Sequence, residues 1–205
     1  MTNHPESKIQ AAMTKTRLEA FSDGVFAIVI TLLILEIKLP EVGYDELPHA
    51  LIEALPRIAA YVMSFAIIGL YWITHHRSSE LIVKVDGAIL WLNLLLLLLV
   101  SFLPFPTALL GRYPYEPLPI LIYGANLLAC NAVGFGMLSY VLHHRHLVEP
   151  GHGMERLRKQ YPSYIIVNSA YLLAVILASY APVASYAILA LTLVALIVRI
   201  VKYDP

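Results

Sequence analysis

The sequence has little charge and almost no cysteine. Only 14% of its 205 residues are Asp, Glu, Lys or Arg, whereas a soluble domain carries about 25%. Hydrophobic residues make up 59%, and the mean hydropathy is +0.72. The single cysteine, Cys130, excludes a disulfide within the chain. The formal net charge is zero, so no basic field indicates a nucleic-acid partner. This composition predicts an integral membrane protein in a lipid bilayer.

Signatures of catalysis and of metal binding are also missing. The chain contains no nucleophile elbow, no phosphate-binding loop and no HExxH pattern. Its histidines occur as near neighbours, at His75 and His76 and within 143–146. A helical zinc site would place two of them four residues apart. We therefore expect neither an enzyme nor a metal centre, and no cofactor.

What the chain does contain is a series of long apolar segments, which predicts an all-α polytopic protein. We assign residues 1–15 to a polar N-terminal tail and residues 16–205 to one membrane domain without an internal repeat. Pro104 and Pro106 are expected to bend the third span, and the polar stretch 143–160 to connect spans four and five. The six predicted spans cover about 17–39, 51–74, 87–108, 118–142, 162–180 and 183–201.

Lysine and arginine are divided unevenly between the two sides of this topology. The N-terminal tail, the connectors on its side and the C-terminal end hold Lys8, Lys15, Arg17, Arg77, Lys84, Arg145, Arg156, Arg158, Lys159, Arg199 and Lys202. The opposite side has only Lys38, Arg57 and Arg112. Because basic residues accumulate in cytoplasmic loops, both termini are predicted to be cytoplasmic.

The first span has recognisable signals at both ends. Thr16, with Glu19 three residues later, is typical of a helix start, and Pro40 predicts the end of the helix. The residues before it lack the apolar core of a cleavable signal peptide. The first span is therefore expected to direct membrane insertion itself.

The uncharged part of this span is short. Only twelve uncharged residues, from Gly24 to Leu35, lie between Asp23 and Glu36, whereas a span needs about 20 residues. Asp23 must then enter or border the bilayer. An ionisable side chain there costs about 2.5 kcal/mol or more, so Asp23 marks a candidate functional site.

A helix through this segment has two distinct faces, because successive residues are rotated by about 100°. Ser22 and Asp23 lie about 120° and 140° from Ile28 around the axis. The stripe around Ile28 could pack on lipid or on neighbouring helices, or it could face and narrow a pore, as apolar constrictions do in channels. This apolar stripe with a single hydroxyl is formed by Ile28, Thr31, Leu32 and Leu35.

Asp23 has candidate partners at the same level of the membrane. An indole or imidazole N–H, an amide and the hydroxyl of Ser22 could satisfy its carboxylate. We expect a structural polar network that fixes the position of the first helix. The end of the second span and the start of the third supply the other members, which are Trp72, His75, His76 and Asn93.

The segment RLEAFSDGVFAIVITLLILEI resembles the first helix of the transmembrane protein 175 family, whose members are potassium-permeable channels. The family pattern R-x-x-x-F-S-D-G is carried here by Arg17, Phe21, Ser22, Asp23 and Gly24. Trp72 and the histidines that follow it look like the partners that the family places against this segment. The resemblance therefore adds Arg17 to the expected polar network.

This resemblance implies a prokaryotic six-span subunit that assembles as a homotetramer in the cell membrane, with the first helix of each copy lining a central pore. It implies that Ile28 forms the narrowest ring, followed by a hydroxyl ring at Thr31 and a further apolar ring at Leu35, with Leu32 on the same face. Potassium is then the permeant monovalent cation. Selectivity over sodium is expected to be modest, because an apolar ring offers no ligands in exchange for lost water.

Two other functions remain open at this point. A proton-coupled secondary transporter could use Asp23 and the histidines as a relay, although the sequence shows no inverted repeat and no paired broken helices. A membrane scaffold that transports nothing also fits the composition. The chain lacks the TVGYG filter loop, so a potassium channel built from it must select with side chains on a helix.

Overall fold

The computed structural model describes residues 5–38, 41–148 and 151–203. Nearly all of them are helical, which confirms the predicted all-α class. The described residues include three 3-10 turns, which are Leu33–Glu36, directly after the first helix, Tyr44–Glu46 and Arg145–Leu147. The α-helices are α1 (Pro5–Leu32), α2 (Leu47–Glu53), α3 (Leu55–Glu80), α4 (Gly87–Phe102), α5 (Pro104–Arg112), α6 (Pro117–His143), α7 (Gly153–Leu177) and α8 (Pro182–Tyr203).

Six segments of the described chain are long and apolar enough to cross a membrane, as predicted. They are Lys15–Glu36, Leu55–Glu80, Gly87–Arg112, Pro117–His143, Gly153–Leu177 and Pro182–Lys202. The third consists of α4 followed by α5, and the helix is interrupted between them at Leu103, directly before Pro104. Proline cannot donate a helix hydrogen bond, so the break falls where Pro104 and Pro106 predict it.

Several helix boundaries differ from those expected. α3 runs from Leu55 to Glu80 instead of covering 51–74, and α5 continues to Arg112, beyond the predicted end of the third span at 108. α1 begins at Pro5, within the segment assigned to a tail, while residues 1–4 and Pro40 lie outside the described residues. α7 begins at Gly153, and Pro162 lies inside it. The prediction that residues 153–160 belong to a connector is therefore wrong. Leu157 is only 1% exposed, and its burial offsets part of the cost of the proline that follows.

α6 is the central helix of the bundle and packs on α4, α5, α7 and α8. Tyr123 on α6 is fully buried, at 0% exposure. A Cβ on Gly134 would lie 3.1 Å from the Tyr164 ring, so α6 and α7 approach closely there. The side-chain amide of Asn126 donates to the Leu99 carbonyl of α4 at 3.1 Å. Small residues and cross-helix amides are typical of packing inside membranes.

The connector between α3 and α4 is attached to the connector between α6 and α7. The backbone N–H of Val83 donates to the Leu147 carbonyl at 2.8 Å. Asp86 caps α4, because its Oδ1 accepts from the Ile89 N–H at 3.0 Å, and its Oδ2 accepts from the Tyr140 hydroxyl at 2.7 Å. Desolvation opposes ionisation of Asp86, but the Ile89 and Tyr140 hydrogen bonds outweigh it and hold the carboxyl pKa below its ordinary value.

The lowered pKa of Asp86 predicts a pH-dependent contribution to stability. The ionised carboxylate stabilises the folded state at neutral pH, and this contribution is lost as pH falls through the folded-state pKa. In thermal unfolding in detergent, the melting temperature of the wild type should exceed that of Asp86→Asn at pH 7. The difference between the two should shrink below about pH 4. Asp45→Asn, in the exposed 3-10 turn Tyr44–Glu46, is the matched control. A difference that persists unchanged at pH 3 would contradict the prediction.

Candidate functional site: the first helix and its polar contacts

From Lys15 onward, where its side chains are described, α1 packs against the rest of the protomer on one side. It contacts α3 and α4. The side chains on that side are between 0% and 3% exposed, and they are Ser22, Phe26, Val29 and Leu33. They recur every three or four residues, so they form a single buried face.

The opposite side of α1 is uncovered in the protomer. The large apolar side chains on this side of α1 and of the 3-10 turn that follows it are Phe21, Ile28, Leu32 and Leu35, and they are between 45% and 67% exposed. Thr31 is exposed as well, and a Cβ added to Gly24 would meet nothing within 4 Å. The structure thus brings the four predicted stripe residues onto one surface. We call the open stripe the surface formed by Phe21, Gly24, Ile28, Thr31, Leu32 and Leu35.

The hydroxyl of Thr31 is oriented by its own helix. Its Oγ1 lies 2.9 Å from the Ala27 carbonyl and 2.9 Å from the Ile28 carbonyl. The hydroxyl proton is therefore directed toward the backbone, as in other helical threonines. The lone pairs of Oγ1 remain available as acceptors on the open stripe.

Asp23 sits at the edge of the exposed side and is held by α3. Its Oδ1 accepts a hydrogen bond of 2.8 Å from the indole N–H of Trp72. The Trp72 ring stacks on His76, with ring centroids 5.6 Å apart and planes 19° apart. His76 in turn lies 3.6 Å from the Glu80 carboxylate. This group joins the edge of α1 to the last turns of α3.

Ser22 belongs to a second, buried group. The side-chain amide of Asn93, on α4, donates to the Ser22 hydroxyl oxygen at 3.0 Å. The Asn93 carbonyl oxygen lies 2.7 Å from His75 Nε2, which must be the donor because that oxygen can only accept. Ser22 and Asn93 are both 0% exposed. The chain His75–Asn93–Ser22 thus links α3, α4 and α1 in the interior.

The expectation of one network around the Asp23 carboxylate is therefore corrected to two groups. Adjacent helical residues point about 100° apart, so Ser22 faces α4 while Asp23 faces solvent and Trp72. Within the described residues Trp72 is the side chain that donates to Asp23. Arg17 is exposed and lies outside both groups, making no hydrogen bond or ion pair in the described part of the chain.

One contributor to this anchoring is missing from the sequence prediction. The Phe26 ring, 2% exposed, contacts the His75 ring with centroids 5.6 Å apart. Phe26 lies one helical turn after Ser22, so the periodicity of α1 contains the signal. The two polar groups and this aromatic contact hold α1 against α3 and α4 and leave the open stripe uncovered.

The Trp72 contact predicts a measurable loss of stability. Trp72→Phe keeps an aromatic ring but removes the indole N–H that donates to Asp23. We expect the free energy of unfolding to fall by about 1 kcal/mol, because the site is partly exposed. Asp23→Asn keeps an acceptor oxygen and should cost less. Thermal unfolding in detergent measures both, with Trp91→Phe as the control, since Trp91 is 75% exposed. Equal losses for the two tryptophan variants would contradict the prediction.

The residues that build this site coincide with a family match. The family model described as "Endosomal/lysosomal potassium channel TMEM175" matches residues 17–104, which include Asp23, Trp72, His75 and Asn93. The crystal structure of a lysosomal potassium-selective channel TMEM175 homologue from Chamaesiphon minutus superposes with a TM-score of 0.81. It is 33% identical and covers 91% of this chain and 98% of its own.

Several curated proteins are similar over part of their length. A potassium channel of a Chryseobacterium strain is 42% identical over 130 residues, 63% of this chain and 66% of that protein. A potassium channel of Streptomyces collinus is 52% identical over 101 residues, 49% of each. The human endosomal/lysosomal proton channel TMEM175 is 29% identical over 136 residues, 65% of this chain and 27% of that protein. The matches thus span about half to two thirds of the bacterial relatives.

The structural match extends over nearly the whole of the homologue and the sequence match includes the motif helix with its partners on α3 and α4. The six-span chain is therefore a member of the TMEM175 family.

Proposed function

We propose that four copies of this chain form a cation channel in a prokaryotic cell membrane, with both termini cytoplasmic and α1 of each copy around a central pore. Potassium is the proposed permeant ion. The single observation that carries the proposal is the open stripe, which leaves Ile28 59% exposed while the opposite side of α1 is buried. The names of the bacterial relatives, which are potassium channels, support the same function.

The chemistry of the exposed side of α1 favours water over lipid. α4 also has an exposed side. It carries one hydroxyl, Ser101, and no charged side chain, and its large members are Trp91, Leu94, Leu95, Leu98 and Phe102. The exposed side of α1 instead includes Arg17, Asp23 and Thr31. Charged side chains rarely face acyl chains, and those within membranes usually face a bundle interior or a water-filled cavity. We therefore assign the α4 surface to lipid and the α1 surface to the pore.

The proposed selectivity follows from the composition of the stripe. Four Ile28 side chains around an axis would narrow the pore without offering ligands, so an ion must lose part of its hydration to pass. Potassium holds its water less tightly than sodium and loses it at lower cost. The oriented Oγ1 lone pairs of Thr31, one turn further along α1, would replace part of this water. Leu32 and Leu35 continue the apolar lining in the same direction.

Flux into liposomes tests the proposal. Purified protein in potassium-loaded vesicles should give an electrical potassium leak that exceeds the sodium leak, and cross-linking in the bilayer should give a tetramer. Vesicles without protein supply the baseline. Saturable flux that is coupled to a proton gradient would favour a transporter and contradict the channel. No ion flux in any lipid composition would contradict both and favour a scaffold.

A further inference from the structure

A cavity of about 150 Å³ lies inside the protomer, away from the open stripe, and residues of α3, α4, α6, α7 and α8 line it. One hydrogen bond relates the levels of α3 and α7 around this cavity. The Ser78 hydroxyl of α3 donates to the Gln160 side-chain oxygen of α7 at 3.1 Å, and both residues line the cavity. α3 ends and α7 begins at this end of the bundle. The next level inward is therefore one turn earlier on α3 and one turn later on α7.

Three hydroxyl groups lie at this next level. Residues three or four positions apart share a helix face, so Thr74 on α3 and Ser163 and Tyr164 on α7 follow inward from the bond, and all three line the cavity. The Tyr164 hydroxyl oxygen would lie only 3.3 Å from a Cβ added to Gly134 on α6. Within the described residues none of the three hydroxyls makes a hydrogen bond. We call Thr74, Ser163 and Tyr164 the hydroxyl layer.

One turn further inward the lining is apolar and buried. The side chains there, which we call the apolar layer, are between 1% and 9% exposed, and they are Ile67, Leu70, Leu96, Cys130 and Val167. The Tyr71 hydroxyl at this level is already used, because it donates to the Leu127 carbonyl at 3.2 Å. The cavity therefore changes from unsatisfied hydroxyl groups to an apolar interior along its depth.

The charged side chains of the lining lie outside both layers. Arg77 is adjacent to Ser78, and Arg199 donates to the carbonyl of Lys159, adjacent to Gln160, at 3.4 Å. Both arginines already interact with other groups. None of the described residues that line the cavity is Asp or Glu. An ion buried between the two inner layers would lose its hydration without gaining a counter-charge, so these layers favour a neutral ligand.

The two layers together define the chemistry of this ligand. Water could bond to the hydroxyl layer, but a buried water makes about three hydrogen bonds, and the apolar layer offers it no partners. A purely apolar molecule would leave the hydroxyl groups unsatisfied. We propose that the cavity binds a small neutral organic molecule with an apolar body and one hydroxyl or carbonyl group. An apolar cavity of about 150 Å³ holds benzene, so the body has about six carbon atoms.

Phenol is the probe for this site, because it is benzene with one hydroxyl group. Benzene is the analogue without that group, and benzoate is the charged analogue. Calorimetric titration of the purified protein in detergent, corrected for titration into micelles alone, should show saturable binding of phenol. Benzene should bind about fivefold more weakly, which is the effect of one neutral hydrogen bond. Benzoate should bind more weakly still.

Variants test the two layers separately. The combined variant Thr74→Val/Ser163→Ala/Tyr164→Phe removes the hydroxyl groups, so the affinity for phenol should fall to that for benzene while benzene binding is retained. Val167→Phe fills the apolar layer and should weaken the binding of both molecules by about tenfold or more. Tyr161→Phe is the matched control, because Tyr161 lies on the same helix and does not line the cavity.

Each other outcome would overturn the proposal. No saturable binding of phenol would indicate a cavity that holds water only. Equal affinities of the wild type for phenol and benzene would show that the hydroxyl layer takes no part, and tighter binding of benzoate would contradict a neutral ligand. If Val167→Phe does not fold, Leu196→Phe narrows the same cavity from α8 and takes its place. None of these measurements requires ion flux, so the site and the proposed channel stand or fall separately.

Discussion

Ile28→Asn is expected to bring the potassium and sodium permeabilities of the protein close together. The amide replaces an apolar constriction with a group that can hydrogen-bond water and ions, so sodium no longer bears a larger dehydration cost than potassium. We expect the permeability ratio to fall by about threefold or more, equivalent to about 0.7 kcal/mol in the difference between the two barriers. Reversal potentials in planar bilayers with potassium on one side and sodium on the other measure it.

A matched variant decides whether Ile28 faces a pore or lipid. Leu98 on α4 is 63% exposed and Ile28 is 59% exposed in the protomer. If α4 faces lipid, Leu98→Asn should destabilise the protein and leave the permeability ratio unchanged. Ile28→Asn should lower the permeability ratio and leave stability unchanged, because its amide would contact water. Equal losses of stability with unchanged reversal potentials would place Ile28 against acyl chains and refute the proposed pore.

Asn93→Leu is expected to cause the largest loss of stability among single changes at the polar anchor. Asn93 is fully buried and bonds both His75 and Ser22. Leucine would leave the His75 N–H without its acceptor, and a buried unsatisfied group costs about 1–3 kcal/mol. Ser22 loses less, because its hydroxyl still donates to the Leu18 carbonyl at 2.9 Å. We therefore expect Asn93→Leu to lower the free energy of unfolding by about 2 kcal/mol.

The same substitution at a second buried asparagine provides the control. Asn126 on α6 is 6% exposed, and its side-chain amide donates to the Leu99 carbonyl of α4, so it joins α6 to α4 instead of holding α1. Asn126→Leu removes one hydrogen bond and leaves no charged or aromatic donor unsatisfied. Thermal unfolding should show the smaller loss for Asn126→Leu, and hydrogen exchange should show faster exchange in α1 only for Asn93→Leu. Equal exchange of α1 in both variants would contradict an anchoring role for Asn93.

Much of the fold could be predicted because the bilayer imposes strong constraints on sequence. Six apolar segments of sufficient length determine the spans, and Pro104 predicts the break at Leu103. The start of α7 could not be predicted in this way. Its first turns are polar, yet they are helical in the structure, where Leu157 packs against connector residues such as Leu147 and Val148. Burial of one side chain outweighed the signal of Pro162 and the charges around it.

The sequence predicted which residues belong to the candidate site better than it predicted how those residues are arranged. Periodicity alone places Ile28, Thr31, Leu32 and Leu35 on one surface, because the rotation per residue of a helix is fixed. The sequence by itself therefore determined the stripe, the membrane class and the polar residue types. Only the tertiary structure decided that Asp23 pairs with Trp72 while Asn93 bridges Ser22 and His75. Partner choice depends on the directions from which α3 and α4 approach α1, and those directions are set by packing across the whole bundle.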